Sequence, residues 1–375
     1  MEHIEEIRKL FPITANKIFL NHAAQSPLPK PTVDAIHRYV HEASNSGSVS
    51  SEWDDGGKPF FARLIGAKTE EIAFVESTST GLNIVANALH YPHGSKIVTT
   101  DLEYPSVVYP WLRKSLGVKV QYVKNVNGKI SLDDMEKAVD DKTVAVAISH
   151  VEYANGFRHN LRILSEIAHE HDACLIVDGV QSVGTMPIDV KRDDVDFLTA
   201  ACHKWLLSPP GAGYLYVKAD LIEKLEPPFV GWASVDQEVF ETADFYNIWS
   251  LKLAKTASRF EAGSPSSLSL AGARESMKML LVYGVENVKK RIMKLTDRLI
   301  DAAKEKGFEL QTPEEEQCRS GIVNIKTRKP QKIAERLAKK GIVVSARTNG
   351  LRVSPHFYNT EAEIDKLMAE IKRSS

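Results

Sequence analysis

The chemistry of this chain starts from two residues, Asp178 at the end of Cys174-Leu-Ile-Val-Asp178 and Lys204 in Ala-Cys-His203-Lys204-Trp205. A carboxylate that ends an apolar strand and is followed by glycine stands where open α/β sheets bind ligands. Alone it reads first as a helix cap or a turn residue. The next apolar run, Val195-Asp-Phe-Leu-Thr199, leads into Lys204, so the amine lies at a strand's carboxyl end one unit further on. Its Ala, Cys, Trp and Leu neighbours imply a partly desolvated amine, and desolvation lowers a lysine pKa and favours imine formation.

An acid and an amine at the mouths of successive strands match the needs of pyridoxal phosphate (PLP). The lysine forms the Schiff base, and the carboxylate keeps the pyridinium protonated as an electron sink. Such a cofactor also needs an anion site. Glu76-Ser77-Thr78-Ser79-Thr80-Gly81 sets hydroxyls and a glycine between a strand and a helix start, where backbone amides favour phosphate. Without the downstream pair this would read as an ordinary Ser/Thr cap. No Walker or GxGxxG pattern competes with it. Arg352, in Gly350-Leu-Arg352-Val-Ser354, has the fork suited to a carboxylate, and a structural ion pair is an equal reading.

These residues must be positioned by alternating strands and helices. Ile72–Val75, Lys96–Thr100, Val118–Val123, Val144–Ser149, Ala173–Val177, Val195–Thr199 and Gly213–Val217 read as strands. Between them Gly81–Leu89, Val107–Ser115, Leu132–Val139, Leu161–His171 and Lys218–Lys224 read as helices. The pattern is α/β, with a mostly parallel seven-stranded sheet in a large domain. After about residue 225 prolines, glycines and aromatics punctuate the chain. A helical pattern over Leu268–Lys306, strands at Gly321–Lys326, Gly341–Val344 and Gly350–Ser354, and helices at Gln331–Lys340 and Glu361–Ile371 then suggest a smaller α+β domain. The expected division is 1–18 as an N-terminal segment packing with the small domain, 19–258 as the large domain, and 259–375 as the small one.

Composition narrows the classes. The 375 residues carry 48 basic and 49 acidic side chains, which gives no net positive field for nucleic acid. Three scattered cysteines, Cys174, Cys202 and Cys318, support neither a disulfide framework nor a metal site. The acidic first residues lack a signal-peptide pattern, and no run approaches a membrane span. The expectation is a cytoplasmic protein without nucleic-acid, membrane or metal partners.

Seven motifs in order resemble the class V aminotransferase superfamily of fold-type I PLP enzymes, which includes cysteine desulfurases, kynureninases and isopenicillin-N-epimerase-like proteins. They are Phe19-Leu-Asn-His-Ala-Ala, Thr78-Ser-Thr-Gly-Leu-Asn, Leu102-Glu-Tyr-Pro-Ser, Val177-Asp-Gly-Val-Gln, Cys202-His-Lys, Arg259-Phe-Glu-Ala-Gly-Ser-Pro and Leu351-Arg-Val-Ser. The resemblance implies that Lys204 forms the internal aldimine, Asp178 pairs with the pyridine nitrogen and Gln181 bonds the phenolic oxygen. It further implies phosphate ligands at Thr78, Ser79 and His203, ring stacking by Tyr104, and a grip by Arg352 on the substrate α-carboxylate. Ser264, and more loosely Trp232, would reach the phosphate region, Ser264 that of a neighbouring subunit in a homodimer with shared sites.

Two departures matter. Where desulfurases place an Arg-Thr-Gly-His-His-Cys stretch and an insertion, this chain joins Arg347-Thr-Asn-Gly-Leu-Arg352 directly, without the persulfide cysteine. Tyr153 replaces the usual Asn near the ring oxygen, leaving Gln181, or Asn155, to serve. The expected activity is therefore transamination between an amino acid and a keto acid, with sulfur mobilisation disfavoured. Epimerisation, racemisation or a kynureninase-like or C–S lyase step is the alternative. A second base on the opposite face would discriminate these outcomes, and His22, Tyr153 and His356 are the candidates. The aromatic-rich 228–258 segment, with Trp232, Phe240, Phe245, Tyr246 and Trp249, could line a side-chain pocket or simply anchor loops.

Overall fold

The computed structural model describes residues 4–236 and 249–371. Its strands are β1 (Ile18–Phe19), β2 (Ile72–Val75), β3 (Lys96–Thr100), β4 (Lys119–Val123), β5 (Thr143–Ser149), β6 (Cys174–Asp178), β7 (Phe197–Ala201), β8 (Gly213–Val217), β9 (Val323–Lys326), β10 (Ile342–Val343), β11 (Ser345–Arg347) and β12 (Gly350–Val353). Seven form one sheet in the order β2-β8-β7-β6-β5-β3-β4. All neighbours run parallel except β8, which is antiparallel to both β2 and β7. Alternate side chains of the central strands enter two separate apolar cores, Val146, Leu175 and Leu198 on one face and Ala147, Ile176 and Phe197 on the other. Both faces are thus covered, which is why these runs are apolar throughout.

This topology brings the carboxyl ends of β2, β3, β5, β6 and β7 to one edge. There β2 passes into helix Thr78–Ala88, whose N-cap Ser77 accepts a hydrogen bond from Thr80 N–H at 3.1 Å. The helix starts three residues before its apolar pattern does, because the cap sets the boundary. It also lies hard against β7: a Cβ on Gly81 would come within 2.2 Å of Thr199 Oγ1. Only glycine allows that approach.

The remaining strands belong to smaller sheets. β11, β12 and β9 form an antiparallel sheet in that order, and β1 pairs in parallel with β10. Helices Val285–Glu305, Pro330–Lys339 and Glu361–Glu370 cover this region around Leu299, Ile325, Leu337, Leu351 and Leu367. Near the N-terminus, Arg8 pairs with Glu363 at 3.0 Å and Phe11 stacks on Tyr358.

Three sequence expectations need correction. The helix expected over Val107–Ser115 is a short helix, Pro105–Val108, followed by 3-10 turns at Tyr109–Leu112 and Lys114–Leu116. Pro110 has no N–H to continue the ladder. The pattern over Leu268–Lys306 is two helices, Ser267–Tyr283 and Val285–Glu305, parted at Gly284 with φ of 80°. Helices Lys30–Ser46 and Lys58–Ile65 were not foreseen at all.

Candidate active site

At the common edge of the sheet lies a cleft of about 290 Å³. Eight of the expected residues line it: Thr78, Ser79, Tyr104, Asp178, Gln181, His203, Lys204 and Arg352. Trp232 and Ser264 do not. Ser264 lines a separate pocket with Phe74, Glu76 and Gly263, and Trp232 is more than half exposed beside Gly263. Phe240, Phe245 and Tyr246 lie outside the described residues, and Trp249 is exposed.

Lys204 follows β7 and is almost enclosed. Burial lowers its pKa to about 8, the nearby Asp178 charge works against that shift, and the Arg352 and Arg347 charges add to it. The ammonium lies 5.6 Å from the centre of the Tyr104 ring. Asp178 closes β6, where burial raises its carboxyl to about 6 against the opposing pull of the Val180 N–H and of Lys204. At neutral pH it is therefore a carboxylate, yet basic enough to hold a shared proton. Val180 N–H donates to its Oδ1 at 2.8 Å, and no other side-chain hydrogen bond engages it among the described residues. Gln181 is pinned by Trp205 Nε1–H, which donates to its Oε1 at 2.8 Å, and its own Nε2 donates to Ala23 O at 3.0 Å.

The cleft lining also carries the hydroxyls of Ser77, Thr78, Ser79 and Ser106. Thr78 Oγ1 accepts from Ala201 N–H at 3.0 Å, which locks the helix start to β7. Ser79 and Ser106 hydroxyls meet at 2.7 Å. His203 is held neutral by burial and the Lys204 charge, which bring its pKa to about 4. Free helix N–H groups, hydroxyls and a neutral imidazole form a donor set suited to a phosphate.

Arg352 enters from β12 and is 1% exposed. Its Nη1 donates to Tyr153 O at 2.8 Å and its Nε to Ser345 Oγ at 3.3 Å, while Nη2 is buried without a partner. Burial and the Arg347 charge lower its pKa to about 9. A buried, unpartnered guanidinium nitrogen is costly unless a ligand completes it. Its position in the cleft suits a carboxylate.

Of the second-base candidates only Tyr153 lines the cleft, edge-on to Tyr104 at 5.1 Å. His22 and His356 are fully buried and bonded elsewhere. Asn155 is also withdrawn: its Nδ2 donates to Gly128 O at 2.7 Å and its Oδ1 accepts from Phe157 N–H. None of the three cysteines lines the cleft.

Two features were missed in the sequence. Arg347 joins the cleft wall. The acids that precede the two tyrosines, half-buried Glu103 and fully buried Glu152, lie close together. Glu103 accepts from Ser149 N–H and Oγ–H at 2.6 and 2.7 Å, and Glu152 meets Thr100 Oγ1 and His159 Nε2 at 3.2 and 3.1 Å. Burial pushes Glu152 up to about 8 and Glu103 well above the carboxylate range, with the Glu152 charge adding to the Glu103 shift. Both carboxyls therefore lean to the protonated form. The repeated Glu-Tyr dipeptide, at 103–104 and 152–153, is the signal that could have found it.

Nucleophilic amine, proton-holding carboxylate, phosphate-type donors and an open guanidinium fit a phosphorylated carbonyl cofactor together with an amino-acid carboxylate. Comparison with known proteins agrees. The family model Aminotransferase class-V matches residues 18–367. An uncharacterized aminotransferase, YcbU, of Bacillus subtilis (strain 168) is 32% identical, covering 99% of this chain and 98% of its own length. The apo structure of a cysteine desulfurase from Thermococcus onnurineus NA1 superposes with a TM-score of 0.87 at 28% identity, over 97% of this chain and 96% of that one. C-DES, solved with glycine covalently linked to its PLP cofactor, shares the fold with a TM-score of 0.87 at 22% identity, over 96% of this chain and 98% of its own. The chain belongs to the class V aminotransferase family, with the fold-type I architecture and PLP as its cofactor.

Proposed function

We propose that this protein is an aminotransferase that moves an amino group between an amino acid and a keto acid, with Lys204 as its catalytic residue. The observation that carries the reading is the unpartnered Arg352 Nη2 in the same cleft as the Lys204 amine and the Asp178 carboxylate. When bound, PLP supplies the imine-forming carbonyl and the electron sink. With a pKa of about 8, Lys204 is in part a free amine at neutral pH, able to attack a carbonyl and later to take the proton from the substrate Cα. Asp178 holds a proton at the ring nitrogen. Thr78, Ser79 and His203 would hold its phosphate, Gln181 would meet its phenolic oxygen, and Tyr104 would cover its ring. Arg352 orients the substrate through its α-carboxylate.

Ser264 and Trp232 stand away from their own chain's cleft, which supports a homodimer in which they serve the neighbouring copy's phosphate region. Cysteine desulfurase activity is disfavoured because that reaction needs a mobile thiolate at the cleft. Burial raises the pKa of Cys174, Cys202 and Cys318 alike, and none of them is there. Of the three second-base candidates for epimerase chemistry, Tyr153 alone lines the cleft.

The test is a single turnover of the PLP-loaded protein with L- and D-amino acids, read by the cofactor's visible absorbance and by product analysis. Stoichiometric keto acid release, with the absorbance restored by a second keto acid, is the expected result. Racemised amino acid, a cleaved side chain or released sulfide would overturn it.

A further inference from the structure

Strand register places two arginines side by side. In the β11–β12 pair Ser345 stands opposite Arg352 and Arg347 opposite Gly350, so alternation puts all four on one face. The connection is tight, with β-branched Thr348 in the left-handed region at φ of 49°. The turn is held from outside: Thr348 Oγ1–H donates to Gln311 Oε1 at 2.8 Å, and Asn324 Nδ2 donates to Arg347 O at 3.2 Å. A strained turn persists where its surroundings over-determine it, often at ligand sites. This is the direct Arg347–Arg352 connection noted in the sequence.

Both guanidiniums line the cleft, and neither has a carboxylate partner among the described residues. Among the described residues Arg347 donates only to the carbonyl of its neighbour Ala346, at 2.7 Å. Lys204, Arg347 and Arg352 therefore face a single acid in the cleft, Asp178. An α-carboxylate satisfies one guanidinium. The phosphate has its own donors at the start of helix Thr78–Ala88, which leaves Arg347 over. Two adjacent guanidiniums in a half-enclosed site repel each other unless a second anion arrives.

We infer that the cleft takes a dicarboxylic amino acid of the aspartate or glutamate type, its α-carboxylate on Arg352 and its side-chain carboxylate on Arg347. This rests on the amino-acid reading above and names its substrate class.

The test titrates PLP-loaded protein with succinate and with butyrate by calorimetry, for wild type, Arg347→Met and Arg347→Lys. One charge-assisted contact predicts succinate binding at least about tenfold tighter than butyrate in the wild type. That ratio should fall towards one in Arg347→Met and recover in part in Arg347→Lys, which guards against a folding defect. In turnover, the preference for L-aspartate or L-glutamate over L-alanine should shrink about tenfold or more in Arg347→Met. Equal binding of succinate and butyrate to the wild type would overturn the inference. So would an equal loss of both ligands in Arg347→Met, which would mean that both arginines hold one carboxylate. The cofactor's visible absorbance, read in the same samples, separates the failures. Its absence would end the PLP reading itself, whereas a neutral-side-chain preference with the absorbance intact would end only the dicarboxylate assignment.

Discussion

Behind the cleft, where β1 meets the chain that leads into helix Glu361–Glu370, lies a second buried polar region. His22 contacts Ser354 O through Nδ1 and the Tyr358 hydroxyl through Nε2, each at 2.9 Å. His356 accepts from Phe357 N–H at Nδ1 and meets Trp205 O at Nε2, while Asn359 Nδ2 donates to Phe19 O and to Glu363. These side chains have partners within the chain, although Asn21 Oδ1 beside them has none among the described residues, and burial keeps both histidines neutral. The cleft is built the other way. Among the described residues Arg352 Nη2 has no partner, Asp178 has one backbone donor, and the Lys204 amine has charges and a ring around it but no hydrogen-bond partner. A satisfied polar cluster rigidifies a junction, and an unsatisfied one reserves binding energy for a ligand. The two regions should therefore respond oppositely to substitution.

The largest effect belongs to Lys204→Ala, which should remove the cofactor's visible absorbance and cut turnover by about 10⁴-fold while the protein stays folded. Arg352→Met comes next, with kcat/KM lowered by about 10²- to 10³-fold, the scale for truncating one side of a buried charged contact. Its urea midpoint without cofactor should hold or rise, because the substitution relieves repulsion with Arg347 and removes an unmet donor. A marked fall would show that Arg352 is structural and erase the contrast. Asp178→Asn should lose about 10²-fold in turnover, with the absorbance shifted rather than abolished.

A smaller effect concerns the Glu103–Glu152 pair. Burial lifts Glu152 from its ordinary value to about 8, so the folded state binds the proton more tightly than the unfolded chain. The stability so gained is complete below the ordinary carboxylate pKa and is lost as pH rises through about 8. Urea midpoints measured from about pH 6 to about pH 9 should fall in the wild type and fall less in Glu152→Gln. The buried histidines work in the opposite window. His150 and His159, lowered to about 3 and about 4, contribute stability that is lost as pH falls below the ordinary histidine pKa. Smallest is Tyr358→Phe, which strips His22 of its hydroxyl partner at a cost of about 1–3 kcal/mol and leaves the cofactor absorbance unchanged. A changed absorbance there would join the two regions into one.

What could be read beforehand follows from how local each signal is. The central strands were legible because burial on both faces demands continuous apolar runs, and Asp178 and Lys204 stand at their ends. Ser77 and Thr78 were legible as a cap. Helix Lys30–Ser46 was not, because only Thr32 and Ala35 are buried along it, too few to mark a stripe. Arg347 was not read as a cleft residue because its place depends on the register of a two-strand turn. The separation of Ser264 and Trp232 from the cleft depends on distances that no motif encodes.

The most direct measurement is borohydride reduction of the PLP-loaded protein followed by peptide mass analysis. The expected result is one reduced cofactor per chain, carried on Lys204 and absent from Lys204→Ala. Cofactor fixed on another lysine, or none fixed at all, would contradict it.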